Sequence, residues 1–184
     1  NSILKHFKGV DDMNLKELYD LSKIKLKVKV FNVTIKQVEY ITHETDPQLS
    51  IIRLTEMTTA VPLVFKPIKY NNYLYVDGGL RGSFPKEACE SDNYLGIFIR
   101  GGVNVPSDNF IVKLFPILEF MYSLSTQHTR TSDYADNIDP KVIFLEINKG
   151  LNFEITRKEK EDIILMGFDK TTEYIKKHWA KDTI

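Results

Sequence analysis

Asp77 is the residue of this 184-residue chain whose position best suits chemistry. It ends a strand-like run, Tyr73–Val76, and is followed by Gly78 and Gly79. A strand carries its last side chain to the edge of a sheet, and glycines allow a sharp turn and the close approach of another group. A carboxylate held there can orient a neighbouring hydroxyl or accept its proton. By itself, an Asp-Gly-Gly sequence is more typical of a simple turn.

A nucleophile for this acid is not evident in the chain. The sequence contains no G-x-S-x-G, the elbow that presents a catalytic serine between a strand and a helix. Ser83 lies close to Asp77, but Phe84-Pro85 follows it instead of a glycine, so we interpret Ser83 as the cap of a short helix. No pattern of His, Cys, Asp and Glu predicts a metal or cofactor site, and we expect neither.

The surroundings of Asp77 form a longer pattern. From Thr58 to Cys89 the sequence reads TTAVPLVFKPIKYNNYLYVDGGLRGSFPKEAC. It contains a small-residue T-A-V-P segment, then F-x-P, a hairpin, a strand ending in D-G-G-L, and F-P. This order and spacing resemble the patatin-like phospholipases, in which an S/T-x-A-x-P segment leads to F-x-P and a strand ends in D-G-G or D-G-A. The resemblance covers roughly residues 14–102.

The resemblance implies both a fold and an activity. The fold would be α/β, a patatin-like three-layer α/β/α sandwich, here with an incomplete sheet. The activity would be cleavage of lipid acyl esters by a Ser–Asp dyad, with Asp77 as the dyad acid and Gly78 and Gly79 as its supporting turn. In the family the serine precedes the helix and strand that open this sequence. We therefore interpret residues 1–184 as the C-terminal part of a single patatin-like phospholipase domain whose nucleophile lies on an upstream segment.

Composition limits the remaining function classes. Lys+Arg and Asp+Glu number 25 each, so the zero net charge gives no argument for a nucleic-acid partner. No apolar run approaches the ~18 residues of a membrane span, so we expect at most peripheral contact with membranes. The single cysteine, Cys89, excludes an intrachain disulfide, favours the reducing cytoplasm and is predicted to be a core residue. The resemblance implies a phospholipid or another acyl ester as substrate.

Hydrophobic periodicity predicts several helices. Asn14 and Glu17 form a capping-box pair at the start of a helix over 14–22. Asp46-Pro47 predicts a second helix that runs to about residue 58. A third, kinked helix is predicted over 110–124. Another capping box at Thr156 and Glu159 opens a final helix on which five residues share one stripe: Ile164, Phe168, Thr171, Ile175 and Trp179.

The strand pattern has two parts. Lys25–Val30 alternates between lysines, expected on a wet face, and apolar residues, expected on a buried face, and we pair it with a strand over 38–43. Asn71-Asn72 predicts a two-residue hairpin turn. Tyr94–Ile99 and Val142–Ile147 are apolar without alternation, which predicts parallel strands buried on both faces.

Three hypotheses follow from these patterns. The one we favour is a lipid acyl hydrolase of the phospholipase A type. The second is a non-catalytic patatin-like module that binds lipid or a partner, whose elbow serine would be replaced or absent. The third is an unrelated α/β binding domain in which Asp77 belongs to an accidental turn away from any cleft.

Overall fold

A computed structural model describes residues 12–62, 64–82, 84–101, 139, 141–147 and 155–178. Ser83 and the helix predicted over 110–124 lie outside these residues. The described residues up to Ala88 belong to one compact unit, and those from Cys89 onward belong to a second. The prediction of a single domain over residues 1–184 stays a prediction.

A four-stranded sheet forms the centre of the first unit. Its strands are β1 (Val28–Asn32), β2 (Gln37–Ile41), β3 (Ile68–Tyr70) and β4 (Tyr73–Asp77), in the order β2-β1-β4-β3. All three neighbouring pairs are antiparallel. The predicted hairpin turn is confirmed, because Asn71 and Asn72 join β3 to β4 with positive φ angles of 45° and 65°.

Helix α1 (Leu15–Ser22) begins as the sequence predicts. The Asn14 side chain accepts a hydrogen bond from the Glu17 N–H, and the Glu17 carboxylate accepts one from the Asn14 N–H. These two bonds satisfy N–H groups that have no partner inside the helix. Leu15 is buried and belongs to the core of this unit.

Helix α2 (Ile51–Thr58) begins later than predicted. Asp46 and Pro47 precede it in a turn, where the Asp46 N–H donates to the Thr42 carbonyl. The observed cap is Ser50, whose hydroxyl accepts a hydrogen bond from the Arg53 N–H. The prediction was wrong because the turn carries Leu49 into the core, where it is only 2% exposed.

The alternation predicted for Lys25–Val30 is half right. The strand spans Val28–Asn32, and Val30 is fully buried as expected. Lys29, expected on a wet face, has a side chain that is only 8% exposed. It is buried because polar groups from distant parts of the chain surround its ammonium group, as described below.

The core of the first unit lies between α2 and the sheet. Helix α2 contacts both β1 and β4, and α1 adds Leu15. The buried members of this cluster are Leu15, Val30, Ile41, Leu49, Leu54, Met57 and Tyr75. Each large apolar side chain removed from water contributes roughly 1.5–3 kcal/mol, so this cluster is what holds β4 and its terminal Asp77 in place.

The second unit contains the predicted parallel strand pair. Strands β5 (Gly96–Gly101) and β6 (Val142–Ile147) pair in register, with Gly96 opposite Val142. The expectation that both faces of β5 are buried was wrong. Phe98 is 5% exposed and packs against Phe144, whereas Ile97 and Ile99 are 58% and 59% exposed. Burial therefore alternates along β5, as on a strand covered on one face.

The long helix α3 (Arg157–His178) begins as the sequence predicts. The Thr156 hydroxyl accepts from the Glu159 N–H, and the Glu159 carboxylate accepts from the Thr156 N–H. Within the stripe, Ile164 and Phe168 are 69% and 68% exposed, and Trp179 lies outside the described residues. Cys89 was expected in the core, but it is exposed. None of the described helices is long and apolar enough to cross a membrane.

Candidate functional site

Asp77 occupies the last position of β4, at the rim of the first sheet. Its Cα lies opposite Val30 of β1, and its N–H donates a 3.1 Å hydrogen bond to the Ala60 carbonyl. Ala60 belongs to the T-A-V-P segment that follows α2 and is itself buried. Two parts of the pattern recognised in the sequence therefore meet at the backbone of Asp77.

The Asp77 carboxylate is half-buried and only partly engaged. Its Oδ1 accepts a 2.7 Å hydrogen bond from the Gly79 N–H. Across the described ranges, no Lys, Arg or His forms an ion pair with it, and Oδ2 has no hydrogen-bond donor. One oxygen thus fixes the orientation of the carboxylate, and the other remains able to accept a proton or a hydrogen bond.

The two glycines are required by close contacts. A Cβ at Gly78 would lie 2.4 Å from the Lys29 carbonyl oxygen, closer than real Cβ atoms approach. A Cβ at Gly79 would lie 2.9 Å from Oδ1 of Asp77. Neither glycine has a positive φ angle, whereas Gly82, at the end of the turn, has φ 108°. Gly78 and Gly79 therefore serve close approach, and left-handed backbone is needed only at Gly82.

Burial also determines the proton affinity of the site. Removal from water raises the pKa of the Asp77 carboxyl above its ordinary value, and the hydrogen bond from the Gly79 N–H offsets only part of the rise. A carboxylate with a raised pKa is a better base than an exposed aspartate, which suits it to take a proton from a hydroxyl.

The turn after Asp77 is a single 3₁₀ turn, Gly78–Arg81, held against β1. The Lys29 ammonium group donates to the carbonyl oxygens of Arg81 and Gly82, at 2.9 and 3.1 Å. The Arg81 guanidinium lies 5.6 Å from the centre of the Phe31 ring. The role of Lys29 was not predictable from its sequence neighbours, because alternation with apolar residues is the usual sign of a solvated lysine.

The other residues considered in the sequence contribute less. Ser83, interpreted there as a helix cap, lies outside the described residues. The short helix predicted after it is a 3₁₀ turn, Lys86–Ala88. His43 stacks on the Tyr19 ring, with centroids 3.7 Å apart, which is a packing role. The described part of the chain holds no cluster of three residues suited to a metal ion.

Comparisons with known proteins find a matching family and a relative. The sequence model of the family described as "Patatin-like phospholipase" matches residues 2–89. "Probable lipid hydrolase 463L" of Invertebrate iridescent virus 6 is 36% identical over 73 residues, which cover 40% of this chain and 25% of that protein. The chain thus spans about a quarter of the length of this curated relative.

A solved structure extends the comparison to the whole fold. The crystal structure of VipD from Legionella pneumophila superposes with a TM-score of 0.61 at 20% identity, over 90% of this chain and 35% of that chain. The α/β fold with open sheets that the sequence predicts is therefore confirmed. By the family match, residues 2–89 are similar to the patatin-like phospholipases, and the viral relative is described as a probable lipid hydrolase.

Proposed function

We propose that this chain is part of a lipid acyl hydrolase of the phospholipase A type, in which Asp77 is the acid of a Ser–Asp dyad. The family match over residues 2–89 and the lipid-hydrolase relative support hydrolysis of lipids in general. The observation that carries the specific proposal is the state of Asp77: half-buried, oriented by the Gly79 N–H and without an ion pair among the described residues.

In this proposal the serine comes from a segment upstream of residue 1. The 184 residues contain no G-x-S-x-G, and the chain spans 25% of its curated relative. Asp77 takes the proton of the serine hydroxyl while the oxygen attacks the ester carbonyl carbon. Backbone N–H groups of the same upstream segment would stabilise the oxyanion that forms.

The remaining steps return the enzyme to its starting state. The bond between the carbonyl carbon and the alcohol oxygen breaks, and the departing alcohol takes the proton from Asp77. Water then gives a proton to Asp77 and attacks the carbonyl carbon of the acyl-serine ester. The bond between that carbon and the serine oxygen breaks, the serine oxygen takes the proton back from Asp77, and the fatty acid is released. The substrate would be a phospholipid or another acyl ester, met at a membrane surface by peripheral contact in the cytoplasm.

Replacement of Asp77 by Asn tests the proposal. In the protein that includes the upstream segment, we expect Asp77→Asn to lower the rate of ester hydrolysis by about 10²–10⁴-fold, since the amide cannot act as a base. The amide oxygen can still accept from the Gly79 N–H, so the fold should persist. The measurement is kcat on a phospholipid and on a short-chain ester, with far-UV circular dichroism to verify folding.

Asp20→Asn is the matched control. Asp20 is an exposed carboxylate that pairs with Lys16 at 2.8 Å on α1, so its loss should leave the rate unchanged. An unchanged rate in Asp77→Asn would remove Asp77 from the mechanism. A folded full-length protein with no hydrolysis of either ester would favour the alternative, a non-catalytic module that binds lipid or a partner.

A further inference from the structure

Lys29 is a buried lysine at the centre of the first sheet. Its side chain is 8% exposed, although burial of an ammonium group costs several kcal/mol unless hydrogen bonds replace its water. It lies opposite Tyr40 of β2 in the register of the sheet, so both side chains project from the same face. A lysine kept in this position needs compensating contacts.

Three acceptors surround the Lys29 ammonium group, one for each of its N–H bonds. They are the Arg81 carbonyl at 2.9 Å, the Gly82 carbonyl at 3.1 Å and Oε1 of Glu87 at 2.9 Å. The two carbonyls stand at the end of the 3₁₀ turn, where carbonyl groups lack partners within the turn. Lys29 therefore caps the end of the turn that Asp77 begins.

Lys29 also contacts the beginning of that turn through its backbone. Its carbonyl oxygen lies against Gly78 so closely that a Cβ there would come within 2.4 Å. The same oxygen accepts a 2.9 Å hydrogen bond from the Thr58 hydroxyl, at the end of α2. A single residue of β1 thus touches both ends of the segment that runs from Asp77 to Gly82.

Glu87 holds the ammonium group from the other side. Its carboxylate accepts from both Lys29 and the Tyr40 hydroxyl. Burial acts to raise the pKa of Glu87, but these hydrogen bonds outweigh it, and the pKa lies below its ordinary value. Glu87 is therefore ionised at neutral pH, as the counter-charge of a buried lysine must be.

We propose that Lys29 is a positioning residue for Asp77: its ammonium group clamps the turn over 78–82 and so fixes the carboxylate that the turn orients. This inference rests on the proposed function of Asp77. Among the described residues, the Gly79 N–H is the hydrogen-bond donor that joins the turn to the carboxylate, so a turn that shifts moves the base away from the hydroxyl it must meet.

The test uses Lys29→Met in the protein that includes the upstream segment. We expect kcat to fall by about 10- to 100-fold, because a displacement of about 1 Å at a reacting group has effects of this size. KM should stay within about twofold, since Lys29 does not bind substrate. Lys29→Arg, which keeps the charge, should recover part of kcat. Lys25→Met is the control, since the Lys25 ammonium lies 2.7 Å from Glu44 on the same lysine-rich run.

Amide hydrogen exchange measures the rigidity of the turn over 78–82 independently of catalysis. The Gly79 and Gly82 amides, which donate to Asp77 and to the Gly79 carbonyl, should exchange about tenfold faster in Lys29→Met. The Leu54 amide, which donates to the Ser50 carbonyl inside α2, should keep its rate. If all three amides accelerate equally and kcat per folded molecule is unchanged, Lys29 is only structural and the inference is overturned.

The two proposals fail in different ways. If Asp77→Asn keeps the wild-type rate, the proposed function fails, whatever the exchange data show. If Asp77→Asn is inactive but Lys29→Met keeps the wild-type kcat, the positioning role alone fails. If Lys29→Met does not fold, Lys29→Gln, which removes the charge but keeps hydrogen-bond donors, carries the test: a lower kcat with faster exchange at Gly79 supports the clamp, and wild-type values of both overturn it.

Discussion

The charge state of Asp77 links activity to stability at the residue scale. Its pKa is raised in the folded protein, so the folded state binds more protons than the unfolded state between the ordinary and the raised pKa. The free energy of unfolding therefore falls as the pH rises through that window, and it stays lower at neutral pH. The ionised Asp77 carboxylate therefore lowers the free energy of unfolding at neutral pH.

Two measurements follow for this residue. Asp77→Asn should raise the free energy of unfolding at pH 7. It should also remove the contribution of Asp77 to the pH dependence of that free energy, as measured by urea unfolding from pH 3 to 8. In the wild-type enzyme, the acidic limb of the profile of kcat/KM should lie above the ordinary pKa of an aspartate. A less stable Asp77→Asn variant would contradict the direction of the shift.

The two glycines should respond differently to alanine. Gly78→Ala places a methyl group against the backbone carbonyl of Lys29, which cannot move without the sheet, so we expect a loss of about 1–3 kcal/mol in the free energy of unfolding. Gly79→Ala meets only the Asp77 carboxylate, which can rotate away. Gly79→Ala should therefore lower the free energy of unfolding less than Gly78→Ala does, and it should lower kcat more. Equal effects of the two variants on both quantities would contradict these contacts.

At the scale of elements, the start of helix α2 can be tested. The segment that follows this helix contains Ala60, whose carbonyl accepts the hydrogen bond from the Asp77 N–H. Ser50→Ala should lower the free energy of unfolding by about 0.5–2 kcal/mol, since the Arg53 N–H loses its acceptor. Ser50→Thr keeps the hydroxyl and should be close to wild type. Urea unfolding of both variants checks this, and a Ser50→Ala variant as stable as Ser50→Thr would place the helix start elsewhere.

The sheet transmits packing in the first unit to the site. Val30 and Tyr75 are core residues, and each lies within the short stretch of β1 and β4 that also carries Lys29 and Asp77. Burial of Val30 and Tyr75 fixes β1 and β4 relative to each other. This fixed arrangement places Lys29 and Asp77, on the same strands, for their polar contacts.

At the scale of the whole molecule, the chain holds an acid without an evident nucleophile. Under the proposed function, we expect the purified 184-residue chain to hydrolyse no phospholipid or short-chain ester, and the chain joined to the proposed serine-bearing segment to hydrolyse both. The reason is the lack of a G-x-S-x-G elbow in these residues. Turnover by the chain alone, abolished by Ser83→Ala, would instead place the nucleophile at Ser83.

Features that depend on neighbours along the chain were predictable from the amino-acid sequence. The capping boxes at Asn14 and Thr156 and the turn at Asn71-Asn72 are confirmed, because each depends on residues within a few positions of one another. The strand that ends at Asp77 was also predictable, as was the family pattern around it. The strand, its glycines and the flanking prolines all lie within one short stretch of sequence.

Features that depend on residues far apart along the chain became visible in the folded protein. Lys29 is buried because Glu87, 58 positions later, and two carbonyls of the turn converge on it. Gly78 must be glycine because β1 passes against it, and the stripe on α3 is exposed because burial needs a partner surface that periodicity does not supply. Local patterns state which face of an element is apolar, and the path of the chain in space decides what that face meets.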